Sequence, residues 1–177
     1  MSYPYGPDLV RFARAHLAEK LGGPAAIRPT GDWCNELGAT FVTLRWRSGA
    51  LQGCIGTLEA DRGIVDDVAH NAVAAGTRDP RTKPCTLADL SDLHVELSIL
   101  SPLEPIASED DIRVGTDGIV LHSRGRRATF LPVMWERLPT KEIFMAELRH
   151  KAGLPRNDAG EARLERYTVH KFEDRAR

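Results

Sequence analysis

Two β-type runs, residues 39–46 and 51–58, are separated by Arg47-Ser48-Gly49-Ala50. A short polar connection carrying glycine between alternating runs specifies a β-hairpin. Side chains in a strand have a period of two, so the register of this hairpin decides which residues reach a core. A two-residue and a four-residue loop predict the same register. It sets Trp46 opposite Leu51, Arg45 opposite Gln52, Leu44 opposite Gly53, Thr43 opposite Cys54, Val42 opposite Ile55 and Phe41 opposite Gly56. Val42, Leu44, Trp46, Leu51, Gly53 and Ile55 then form a core face. Phe41, Thr43, Arg45, Gln52, Cys54 and Gly56 form a mixed one, with thiol beside hydroxyl and guanidinium beside amide.

The rest of the chain supplies partners for that hairpin. Residues 8–21 place Val10, Ala13, Leu17 and Leu21 on one helical stripe, with Pro7 suited to the first turn and Gly22-Gly23 beyond the end. Trp33 and Cys34 lie in an irregular loop before the first strand. Residues 61–76 repeat the helical pattern through Val65, Val68, Ala69, Ala72 and Val73, and Gly76 is a natural stop. His70 and Asn71 fall off that stripe and read as solvated. A charged loop, Thr77-Arg78-Asp79-Pro80-Arg81, follows.

Further on, 86–90 suits a short helix under a Thr86 cap, and 94–100 alternates as a half-buried strand. Residues 119–122 and 127–131 flank Ser123-Arg124-Gly125-Arg126 as a second hairpin. A short helix over 132–138, a Thr140-capped helix through Ala152 built on Ile143, Phe144 and Leu148, and a last strand over 164–172 complete the chain. Hairpins outnumber βαβ units, which predicts an α+β fold with a mainly antiparallel sheet flanked by helices, in a single domain.

The composition, 42% hydrophobic and 28% charged over 177 residues, is that of an ordinary globular chain able to bury a core. Twenty-four Lys and Arg against 25 Asp and Glu leave a formal charge of -1, so there is no general field for polyanions and nucleic-acid binding is disfavoured. No apolar run approaches the ~18 residues of a membrane span, and the first residues lack the pattern of a signal peptide. Cys34, Cys54 and Cys85 form no CxxC pair, which argues against a disulfide framework or a zinc site and suits a reducing cytoplasm.

Leu51-Gln52-Gly53-Cys54-Ile55-Gly56 resembles LRGCIG, the signature of the AMME-syndrome candidate protein family. Prokaryotic members of that family are called AmmeMemoRadiSam system protein A. Asp79-Pro80-Arg81, Glu96-Leu97-Ser98-Ile99-Leu100-Ser101-Pro102, Gly118-Ile119-Val120-Leu121, Arg127-Ala128-Thr129-Phe130-Leu131-Pro132 with Trp135, and Lys151-Ala152-Gly153-Leu154 extend the resemblance in order along the chain. The resemblance implies a two-lobed α+β domain of unestablished activity. Radical-SAM and Memo-type proteins are its implied functional neighbours. It names no cofactor. This chain departs from the signature at Gln52, where the family has arginine. Glutamine cannot supply the charge of a bidentate anion contact, and the predicted register puts Arg45 across from Gln52 to take that charge over.

Cys54 is the candidate nucleophile or general acid/base, since a thiol between two glycines invites close approach. Thr43, Arg45, Gln52, Gly53 and Gly56 would line the cleft, with Arg78, Asp79 and Arg81 at its rim as the groups that bind a small anionic molecule. The alternative is a thiol that only packs, in a non-catalytic partner or scaffold protein. The arginines of the 124–127 turn are a third, lesser candidate, for RNA.

Overall fold

The computed structural model describes residues 3–174. The chain forms an α+β protein with two antiparallel four-stranded sheets. The residues divide into two compact units. One takes the described residues up to Leu100 and again from His170; the other is Ser101–Val169.

In the first unit, α1 (Gly6–Lys20) starts two residues before the sequence pattern suggested, because Pro7 fits inside the first helical turn. The hairpin strands are β1 (Ala39–Trp46) and β2 (Leu51–Gly56). Then come α2 (Ile64–Thr77) and β3 (Leu93–Leu100). The strand β8 (Val169–Glu173) completes the sheet in the order β2-β1-β3-β8. Val42 and Leu44 of β1, Val95 and Leu97 of β3, Leu9, Phe12 and Leu17 of α1, and Val65, Val68 and Ala72 of α2 meet in one apolar core. Arg14 ties α1 to the far edge of the sheet. It pairs with Asp174 and donates to the carbonyls of Leu90 (2.7 Å) and Leu93. Asp174 in turn accepts the Val95 N–H at 2.7 Å.

Two expectations are corrected in this unit and a third where the chain re-enters it. The register holds from Phe41–Gly56 to Leu44–Gly53, but a bulge then pairs Arg45 with Leu51 and leaves Gln52 as the extra residue. Asn71 is 1% exposed rather than solvated, because its side chain points into the hairpin and donates to Thr40 O and Thr57 Oγ1, each at 3.0 Å. The segment expected as one strand over 164–172 breaks at Thr168, whose carbonyl accepts the Ser101 N–H (2.9 Å) and whose N–H donates to Ser101 Oγ (3.0 Å).

The second unit contains β4 (Glu104–Ile106), β5 (Gly118–Ser123), β6 (Arg126–Phe130), α3 (Lys141–Lys151) and β7 (Arg163–Tyr167), with sheet order β4-β7-β5-β6. Thr140 caps α3, its Oγ1 accepting the Ile143 N–H at 3.4 Å. Phe144, Met145 and Leu148 of α3 pack on Ile119, Leu121, Ala128 and Leu164. The Trp135 ring stacks on Phe144 at 3.8 Å between centroids, and its indole N–H donates to Asp117 O at 2.8 Å. Ile143, expected on the apolar stripe, is 47% exposed.

Candidate functional site

The outermost strand of the first sheet, β2, carries Cys54. An ideal Cβ on Gly53 would lie 2.0 Å from the Ala75 carbonyl oxygen, so α2 rests directly on the strand and only hydrogen fits. That contact brings the loop after α2 around the open edge of β2. The Cys54 N–H donates to Asp79 Oδ2 at 2.8 Å, and Arg81 Nη2 donates to Cys54 O at 3.2 Å. Asp79 Oδ1 also accepts the N–H and Nε–H of Arg81, each at 3.0 Å, and Oδ2 accepts Arg81 Nη2 at 2.7 Å. The Arg81 guanidinium holds the Asp79 carboxyl well below the usual carboxylate range. The Cys54 and Arg81 N–H groups add to that effect, and burial opposes it. The edge is thereby sealed against strand addition.

The side chains sort differently from their main chains. Cys54 is half-buried, and Thr43 Oγ1 across the ladder donates to its Sγ at 3.0 Å. Thr43 is paired on its other side with Glu96, giving a row of thiol, hydroxyl and carboxylate across three strands. Phe41 lies over Gly56, where a Cβ would come within 2.1 Å of the ring. Arg45 is paired with Leu51, and its Nε donates to Glu96 Oε1 at 3.0 Å. With His94, Glu96, Glu173 and Asp174 it lines a cleft of about 270 Å³.

The candidate residues therefore fall into groups. Cys54, Thr43 and Arg81 are brought together, with Gly56 along the same strand. Asp79 is buried in the edge clamp. Gln52 is 5% exposed and turned into the loop, its Nε2 donating to Lys83 O at 2.6 Å. The expectation that Arg45 stands across from Gln52 is overturned by the bulge, and Arg45 is engaged by Glu96 instead. Arg78 is exposed at the end of α2.

A polar cluster beneath the hairpin was invisible to the helical stripe. Asp67 Oδ2 accepts the Thr40 N–H (2.8 Å), Thr40 Oγ1 (2.6 Å) and Asn71 Nδ2 (3.0 Å), and Oδ1 accepts Thr57 Oγ1 (2.6 Å). Asn71 Nδ2 also donates to Thr40 O at 3.0 Å. The only sequence signal for it is an Asp and an Asn four apart on α2, with one threonine near the start of β1 and another just after β2.

The other cysteines stand in separate surroundings. Cys34 Sγ donates to Pro29 O at 3.3 Å, and burial pushes the Cys85 thiol up. No group of three or more His, Cys, Asp or Glu side chains placed to hold a metal occurs among the described residues, and no described helix is long and apolar enough to cross a membrane.

The two antiparallel four-stranded sheets and the Gly-Cys-Ile-Gly strand define the class, and the comparisons give the family. Residues 10–172 match the family model described as AMMECR1, and the chain belongs to this family. A protein of Methanothermobacter thermautotrophicus is 35% identical over 165 residues, covering 88% of this chain and 85% of that one. A Thermotoga maritima protein is 35% identical over 133 residues, 75% of each chain. The crystal structure of an uncharacterised protein from Pyrococcus horikoshii superposes with a TM-score of 0.85 at 30% identity. The match covers 99% of this chain and 94% of that one.

Proposed function

We propose that Cys54 is the reactive group of an enzyme, or of an enzyme component, that acts on a small anionic molecule or a modified protein at the outward face of the first sheet. The observation that carries this reading is the separation of Cys54 into two parts. Its main chain is locked by Asp79 and Arg81, while its half-buried thiol faces outward under a donated hydrogen bond from Thr43. That hydroxyl holds the sulfur in one orientation on the sheet face. The Arg81 side chain, 58% exposed, supplies positive charge at the strand edge. Thr43 and Arg81 touch the reacting region in this scheme, whereas Gln52, Gly53 and Asp79 position the strand.

The test is alkylation of Cys54 with Cys34 and Cys85 changed to Ser. The folded protein should react with iodoacetamide. It should favour anionic iodoacetate over iodoacetamide more than free cysteine does, and Arg81→Gln should abolish that preference. Reaction only after unfolding would overturn the proposal.

A second reading rests on the packing of Gly53 under Ala75 and of Gly56 under Phe41, which accounts for both glycines without chemistry. In that reading the protein is a non-catalytic partner or scaffold, with the radical-SAM and Memo-type proteins implied by the resemblance as its associates. Cys54→Ala would then lower stability and leave association with such proteins intact.

A further inference from the structure

The second unit carries a cleft of about 750 Å³ at the end of the β5–β6 hairpin, lined by His122, the turn residues Arg124 to Arg127, and Arg163. Three strands contribute one row to it. His122 of β5 is paired with Arg127 of β6 on one side and with Arg163 of β7 on the other. Side chains directly opposite in a ladder interact, so this row gathers nitrogen donors from three strands in one place. His122 Nε2 lies 2.8 Å from Glu165 Oε2, a group that only accepts, so this nitrogen carries its proton toward the carboxylate. Arg163 Nη2, 3.4 Å from the same nitrogen and 3.8 Å from Glu165, is then a second donor crowded against the first. One carboxylate serves both.

The turn beside this row carries backbone strain. Arg124 and Gly125 both have positive φ, 51° and 72°. A tight hairpin of this kind favours Asn-Gly or Gly-Gly, and Arg is costly in the left-handed region. Adopting it projects the Arg124 guanidinium, 60% exposed and hydrogen-bonded to Asp158 at 3.0 Å, beside the same cleft.

We propose that this cleft binds the phosphate group of a small phosphorylated molecule, received by Arg127, His122 and Arg163 with Arg124 at the rim. A planar guanidinium presents five donors in a fork that matches phosphate oxygens, so one existing contact leaves others to offer. A phosphate between the three strands would accept from a nitrogen donor on each of them. The cleft falls within the roughly 300–1,000 Å³ usual for small ligands. Glu161 borders it and Asp158 lies beside Arg124, so an extended polyanion would run across acids. Among its lining residues His122 is the sole ring, which leaves little for stacking nucleobases. The site involves no residue of the first unit and does not depend on Cys54.

The experiment is an amide ¹H–¹⁵N titration of the full chain with inorganic phosphate at constant ionic strength, repeated with a single-stranded RNA decamer. Saturable shifts confined to the amides of residues 122–127 and 161–163 are expected with phosphate. Arg127→Gln or Arg163→Gln should weaken binding by roughly ten-fold or more. Arg127→Lys and Arg163→Lys keep the charge, protect against misfolding, and should fall between. Shifts that never saturate, or that persist unchanged in the variants, would overturn the proposal. So would an RNA decamer that binds the same amides more tightly than phosphate, which would make the cleft a nucleic-acid contact.

Discussion

Each sheet ends in an edge strand from a hairpin, and the two edges are treated differently. The edge of β2 is met by a buried carboxylate and its arginine, which pair with the N–H and C=O of Cys54. The edge of β6 is met by a lysine, Lys151 of α3, whose Nζ donates to Thr129 O at 2.9 Å while lying 5.0 Å from the centre of the Phe130 ring. Both devices prevent an open strand from recruiting another chain. The first is buried, multiply bonded and built around a glycine contact that admits no side chain. The second relies on long, flexible side chains, Lys151 and Arg126, the latter donating to Gly153 O. The buried clamp thus sits beside the thiol, and the edge of the arginine-rich hairpin is held by flexible side chains.

Substitutions can break that contrast at four depths. Gly53→Ala drives a methyl group into the Ala75 carbonyl, a backbone atom that cannot swing away, and should cost about 3 kcal/mol of unfolding free energy by urea denaturation. Gly125→Ala, where nothing lies within 4 Å of the new carbon, should cost only the left-handed strain of about 1 kcal/mol.

Next, Asp79→Asn should lose about 2 kcal/mol at neutral pH by leaving the clamp donors poorly matched. The Asp79 carboxyl is depressed in the folded state, so its contribution is complete above the unfolded value of about 3.9 and is lost as pH falls below it. The wild type should therefore lose stability faster than Asp79→Asn on acidification below about pH 4. Parallel curves for the two would remove the clamp from the account.

Lys151→Met, at the other edge, should cost about 1 kcal/mol or less. The smallest effect should come from Arg124→Asn. In high salt, where the exposed pair with Asp158 is screened, it should raise stability by about 0.5 kcal/mol by relieving the turn.

The hairpin of the first unit was legible because alternation and a glycine loop constrain register from Phe41–Gly56 to Leu44–Gly53. The bulge at Arg45 was not, since a sequence with Gln52 on either face satisfies the same pattern. What turns Gln52 inward is Lys83 O, thirty-one residues away, and no local rule announces it. Asp67 and Asn71 escaped for a related reason. Hydrophobic periodicity treats a polar residue as solvated, yet here each buried polar atom has its partner in another element, among them Thr40 and Thr57. Cys54 was found by its neighbours in sequence, but its tie to Asp79 depends on how α2 settles on Gly53.

The paired ends at Ser101 and Thr168 have a consequence for synthesis. The second unit is inserted into the first, and a ribosome must finish all of it before the chain returns at His170. Until then β3 lacks its outer neighbour and Arg14 lacks Asp174. The unit that begins first is completed last, so the nascent protein carries a half-built sheet through most of its translation, and shortening the chain before Asp174 strikes the portion made earliest.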